Sequence, residues 1–149
     1  MNTDSIPVTI DVTSDSTTAR ELCILVVDDS ATIRRSAETM LANEGCHVVT
    51  AENGFEALSK ITRHKPDLIF VDIMMPRLDG YQTTAIIKNN VQFRNTPIIM
   101  LTSKDGLFDK ARGRMVGSEE YLTKPFTKEQ LLRAVEQFSR YAERGVQSA

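Results

Sequence analysis

Short apolar runs recur along the chain, and each is followed by a segment whose apolar residues return at helical spacing. The runs are CILVV from Cys23, HVVTA from His47, LIFVD from Leu68, IIMLTS from Ile98 and EYLTK from Glu120. The third opens as a continuous apolar run, the pattern of a strand buried on both faces of a parallel sheet, and the first also reads as a buried strand. After the first run, Ile33, Ala37, Met40 and Leu41 mark one helical face, while Arg34, Arg35 and Glu38 fall off it. Asn53-Gly54 breaks the second run, a helix then carries Leu58 and Ile61 inward, and Pro66 stops it. A third helix is predicted from about Gly80 to Asn90, with Asp79 as its N-cap and Ala85 and Ile86 among its apolar residues. The next helical segment, DGLFDKARGRMVG, contains Gly106, Gly113 and Gly117. An interior glycine costs a helix roughly 0.5–1 kcal/mol relative to alanine, so this fourth helix should be the least stable. Thr127 and Gln130 form an S/T-x-x-E/Q capping box for the last helix, whose inward face is Leu131, Val135 and Phe138.

Strands alternating with helices imply an α/β fold, a doubly wound five-stranded parallel sheet covered on both faces. A flavodoxin-like (βα)5 arrangement in the order 2-1-3-4-5 suits five strands with one switch point beside the first. Residues 1–20 are rich in Ser, Thr and Asp and read as a flexible tail; Val8, Ile10 and Val12 alternate too briefly between polar flanks to argue otherwise. One domain is expected over 21–142, followed by a short polar tail at 143–149, with no attached DNA-binding or catalytic effector domain.

The strand ends carry the chemistry. Asp28 and Asp29 follow the first run, Asp72 ends the third, Thr102 lies at the end of the fourth and Lys124 ends the fifth. In the 2-1-3-4-5 order the first and third strands are neighbours, so the three carboxylates should converge at the sheet edge where open α/β folds keep their sites. Two like charges about 5 Å apart repel by roughly 3 kcal/mol at an effective dielectric near 20, so the cluster wants a cation. Oxygen ligands without His or Cys favour Mg²⁺. Lys124 adds a point charge suited to a phosphoryl oxygen and Thr102 a hydroxyl donor. A carboxylate nucleophile, a metal, a cation and a donor are the equipment of phosphoryl transfer.

Composition narrows the field further. The chain of 149 residues is 26% charged with a formal net charge of −2, without the basic excess of a nucleic-acid binder. No apolar run approaches a membrane span and no secretory signal opens the chain, so the cytoplasm is the expected location. Cys23 and Cys46 show no metal-binding spacing and read as small packed hydrophobes.

The segments VVDDS, VDIMMPRLDG, MLTS and YLTKPF resemble, in order and on the right elements, the signatures of the response-regulator receiver domain. That family also has the 2-1-3-4-5 order, and the similarity spans about Leu22 to Tyr141. The resemblance implies that Asp72 is the phospho-acceptor, taking its phosphoryl group from a CheA-like histidine kinase. It implies that Asp28 and Asp29 hold Mg²⁺, Asp29 the closer, with Asp72 and the Met74 backbone carbonyl as further ligands. Thr102 would be the switch hydroxyl, Tyr121 the switch aromatic and Lys124 the lysine that pairs with the phosphate, with a cis Lys124–Pro125 peptide. A narrower likeness, in MMPRLDGYQT, IKNN and SKDGLFDKARGRMVGSEEYLTKPF, is to the regulators of type IV pilus twitching motility. It implies a stand-alone regulator that signals by phosphorylation-dependent binding to a downstream protein, with the pilus machinery as the candidate target.

Each residue also has a plainer reading. A lone strand-end aspartate usually caps a helix or pairs with a cation, and Asp79 already takes the cap. Thr102 and Lys124 alone would be a strand-end hydroxyl and a surface lysine, and Tyr121 serves equally as a half-buried strand aromatic. His47 and His64 read as solvated, and Lys110, Arg112 and Arg114 as an exposed helix face or a docking surface. A Mg²⁺-dependent aspartyl-phosphate phosphatase needs a second acid two residues past its nucleophile, where this chain has Met74. A nucleotide-binding module would need a P-loop or GxGxxG, absent after the first strand. A flagellar-type chemotaxis regulator and an unphosphorylated pseudo-receiver remain the alternatives.

Overall fold

The computed structural model describes residues 21–103 and 109–148, with side chains through Phe138. Among the described residues five strands, β1 (Cys23–Val27), β2 (His47–Ala51), β3 (Leu68–Asp72), β4 (Ile98–Ser103) and β5 (Glu120–Lys124), alternate with five helices. These are α1 (Ala31–Ala42), α2 (Gly54–His64), α3 (Gly80–Lys88), α4 (Lys110–Val116) and α5 (Lys128–Ser148). All strand pairs are parallel and the order is β2-β1-β3-β4-β5, as expected. The predicted tail at 1–20 and Gly106 lie outside the described residues. α5 continues through Ser148, so residues 143–148 of the segment set apart as a tail extend that helix.

The strands' period of two divides the core. Ile24, Val26, Leu68, Phe70, Ile99 and Leu101 face α1 and α5, meeting Ala37, Leu41, Leu131, Val135 and Phe138. The alternate residues Leu25, Val27, Ile69, Val71 and Ile98 face α2 and α3, meeting Ala57, Ile61 and Ile87. This double burial accounts for the continuous apolar run of β3 and holds also for β1 and β4. Cys23 packs against the second core and Cys46 against the first, both as free thiols. His47 and His64, read as solvated and without partners, come together with ring centroids 6.3 Å apart.

α3 does not bury both of the apolar residues named for it. Ile86 is exposed, and Tyr81, Thr83, Thr84 and Ile87 turn inward instead. Two threonines can be buried there because the Thr83 hydroxyl donates to the Asp79 carbonyl one turn back and the Thr84 hydroxyl to Met100 Sδ. Asp79 caps this helix in a full capping box with Gln82, and Thr127 and Gln130 form the predicted box before α5. α4 covers Lys110–Val116 within the predicted segment, of which residues 105–108 lie outside the described residues. Asp109 caps it, Gly113 is buried in its interior, and Gly117 at φ +105 ends it rather than weakening its middle.

Gly80 carries the tightest approach near the end of β3. A Cβ there would stand 2.5 Å from the Asp72 carbonyl oxygen and 2.7 Å from Ile73 Cα, both backbone atoms that have nowhere to move. Gly80→Ala should therefore destabilise the fold by about 1–3 kcal/mol in urea denaturation, the usual range for overpacking. Met115→Ala, at a side chain 85% exposed, should leave the midpoint almost unchanged.

Candidate functional site

Strand register assembles the site. Val27 pairs with Val71, so Asp28 and Asp72 leave neighbouring strands at the same level. Asp72 pairs with Leu101, and Ser103 pairs with Lys124, which places Thr102 one step beyond Asp72 and Lys124 at the end of the edge strand. The four-carbon stem of Lys124 then spans β4 to reach the acidic pair.

Both central carboxylates are out of water, Asp28 fully and Asp72 at 2% exposure. Lys124 Nζ donates to Asp28 Oδ2 at 2.9 Å and to Asp72 Oδ1 at 3.1 Å. The Ser30 N–H donates to Asp28 Oδ1 at 2.9 Å, while the Ser30 hydroxyl accepts from the Ile33 N–H and starts α1. Arg34 Nη1 donates to the Asp28 carbonyl at 2.7 Å, and the Met74 N–H donates to Asp72 Oδ1 at 3.4 Å. Asp29 is exposed, yet one carboxylate oxygen from each of Asp28, Asp29 and Asp72 lies within 4.8 Å of the others.

The electrostatics follow from this crowding. Burial, and then the charge of Asp28, pushes Asp72 from an ordinary 3.8 up to about 7, against the pull of Lys124. Burial disfavours the Lys124 ammonium, but its hydrogen bond to Asp28 and the charges of Asp28 and Asp72 win and raise its pKa. With all groups ionised, one ammonium faces three carboxylates, a balance of −2. A hard divalent cation fits that deficit and that donor set.

Asp28, Asp29, Asp72 and Lys124 are thus brought together, with the Met74 backbone beside them. The buried Thr102 hydroxyl donates along its own strand to the Ser103 carbonyl at 3.3 Å. Tyr121 is half-buried, packed against a small cluster of Ile73, Tyr81 and Met100, with the Lys110 ammonium 5.0 Å from its ring centroid. The Lys124–Pro125 peptide is cis. The sequence reading missed the pairing of Lys124 with Asp28, the anchoring of the β1 end by Ser30 and Arg34, and Tyr81. Ser30 carried a usable signal as a serine just ahead of a helix; Tyr81 carried none.

Residues 24–136 match the model of the response regulator receiver domain. The chain belongs to the response regulator receiver family. This receiver is 67% identical over 114 residues to PilG of Pseudomonas aeruginosa, covering 76% of this chain and 84% of that protein. It is 42% identical over 108 residues to the probable transcriptional regulator ycf27 of Guillardia theta, spanning 72% of this chain but only 41% of that protein. Among solved structures, the Vibrio cholerae chemotaxis protein CheY4 superposes with a TM-score of 0.75 at 35% identity, over 79% of this chain and 98% of its own. The receiver is a signalling module and not a member of a catalytic enzyme family, which sets aside the phosphatase reading.

The raised pKa of Asp72 has a sign that can be measured. Between about 4 and 7 the folded receiver holds a proton that the unfolded chain has released, so stability falls as pH rises through that window. Below it the carboxyl is protonated in both states and the penalty is absent; above it the penalty is complete. In metal-free buffer, Asp72→Asn should therefore stabilise the receiver by about 1–3 kcal/mol at pH 8 and by much less at pH 4.5. Chemical denaturation at both pH values reads the difference.

Proposed function

We propose that this receiver, over residues 21–142, is a stand-alone response regulator of a two-component phosphorelay, phosphorylated on Asp72 by a CheA-like histidine kinase. The observation that carries this reading is the buried Asp28–Asp72 pair held by Lys124 at the sheet edge, with Asp29 beside it. An ionised Asp72 oxygen attacks the phosphorus of the phosphohistidine; the P–O bond forms as the P–N bond breaks. The bond pair stays on the imidazole nitrogen, which takes a proton from solvent. Asp28, Asp29, Asp72 and the Met74 carbonyl would hold Mg²⁺, which would supply positive charge for the phosphoryl oxygens.

Lys124 keeps its hold on Asp28 while its second bond passes from Asp72 to a phosphoryl oxygen. The Thr102 hydroxyl turns from the Ser103 carbonyl to another, and Tyr121 moves into the space this vacates. The readout is a separate protein, docking where Lys110, Arg114 and Tyr121 line a groove with Ser118, Glu119 and Glu120. The extent of identity to PilG supports a place in type IV pilus motility. Among the described residues no helix is long and apolar enough to cross a membrane, in keeping with a cytoplasmic site of action.

Incubation with acetyl phosphate or a phosphorylated histidine kinase, followed by peptide mass spectrometry, tests the assignment. One adduct on Asp72 is expected, abolished in Asp72→Asn and in excess EDTA. An adduct that survives either change, or that maps to another residue, contradicts it.

A further inference from the structure

Tyr81 has no part in the phosphoryl chemistry described above, yet it joins the elements that would have to move. It is the second residue of α3, and its side chain is 5% exposed. The ring packs with Ile73, which follows Asp72, and with Met100, two residues before Thr102; Val116 of α4 and Tyr121 pack against the same cluster. The Tyr81 hydroxyl accepts a hydrogen bond from the Asp109 N–H at 2.8 Å. The Arg112 guanidinium lies 4.3 Å from the ring centroid. Asp109 is the N-cap of α4, and its own side chain accepts from the Arg112 N–H at 3.1 Å. One side chain on α3 therefore grips the first turn of α4 at two points. Its other end has no slack, because the Gly80 N–H donates to the Ile73 carbonyl at 2.9 Å and Gly80 backs directly onto the Asp72 carbonyl.

We infer that Tyr81 is a positioning residue that ties the first turn of α4 to the segment following Asp72 and stabilises the unphosphorylated arrangement. α4 has only seven residues, with a glycine in its interior. So short a helix does not hold itself in place, and its position is set by tertiary anchors. An anchor made in the resting arrangement biases the equilibrium toward it, and by linkage opposes whatever binds Asp72 more tightly in the other arrangement. The inference rests on the Asp72 reading, and its regulatory content is that the Tyr81 hydroxyl sets how readily the site accepts a phosphoryl group. Tyr81→Phe removes that hydroxyl and keeps the ring in its cluster.

The test combines amide hydrogen exchange with titration of Mg²⁺ and beryllofluoride, a phosphoryl mimic, followed by NMR. In Tyr81→Phe, exchange at the Asp109 amide should accelerate by about threefold to tenfold, the net worth of one hydrogen bond, with the sheet amides unchanged. The apparent affinity for beryllofluoride should tighten by a similar factor. Arg112→Gln, which removes the cation over the ring, should shift affinity in the same direction by about twofold to fivefold. Unchanged or weakened beryllofluoride affinity in Tyr81→Phe overturns the inference, as does exchange that rises uniformly across the sheet. If the wild-type receiver does not bind beryllofluoride at all, the Asp72 reading fails and this inference with it. Equal binding by wild type and variant overturns only the role of Tyr81.

Discussion

One ammonium shared by two carboxylates out of water is the interaction on which the rest of this receiver depends. Lys124 reaches from the edge strand across β4 to Asp28 and Asp72 at the ends of β1 and β3. Breaking a buried pair by removing one partner typically costs about 3–5 kcal/mol, because the charge left behind has neither water nor a counter-ion. Here the imbalance is present from the start, since burial and Asp28 already push Asp72 toward neutrality. The site is held together yet short of positive charge, a state that favours a divalent cation. Everything else in the fold serves to hold those strand ends still. The two apolar cores fix the register, Ser30 and Arg34 fix the end of β1, and Gly80 lets α3 close against the backbone of Asp72.

Much of this was legible in the chain. The continuous apolar runs gave the central strands because the sheet buries both of its faces, and the caps at Asp79 and Thr127 marked helix starts by local chemistry alone. Strand order alone sets Asp28 beside Asp72. What escaped was tertiary. That Thr83 and Thr84 turn inward while Ile86 turns out depends on a neighbouring carbonyl and a methionine sulfur, which periodicity does not register. The Lys124–Asp28 pair joins residues 96 apart, and the bond from Asp109 to Tyr81 requires knowing how α3 and α4 lie together. Gly117 looked like a defect in a helix and is its terminator, because a left-handed residue at the end and a flexible one inside have the same letter.

The acidic edge belongs to the family as a whole, so what distinguishes this member has to reside on the face that partners read. α4 is well placed for that. It is short, carries Lys110, Arg112 and Arg114, and is anchored by contacts that reach back toward Asp72 through Tyr81 and the cluster around Tyr121. A helix held by a few tertiary contacts can be displaced by a small bias, which is what a change of charge at a buried carboxylate supplies.

The central claim is that Asp28, Asp29 and Asp72 form one cation site whose deficit Lys124 only partly meets. Mg²⁺ affinity measured by calorimetry on the wild type, Asp28→Asn, Asp29→Asn and Asp79→Asn tests it most directly. The account predicts one Mg²⁺ bound by the wild type and by Asp79→Asn, where the carboxylate only caps α3. It predicts affinity reduced at least about tenfold in Asp28→Asn and in Asp29→Asn. Equal affinity in all four proteins, or loss of binding in Asp79→Asn alone, would contradict it.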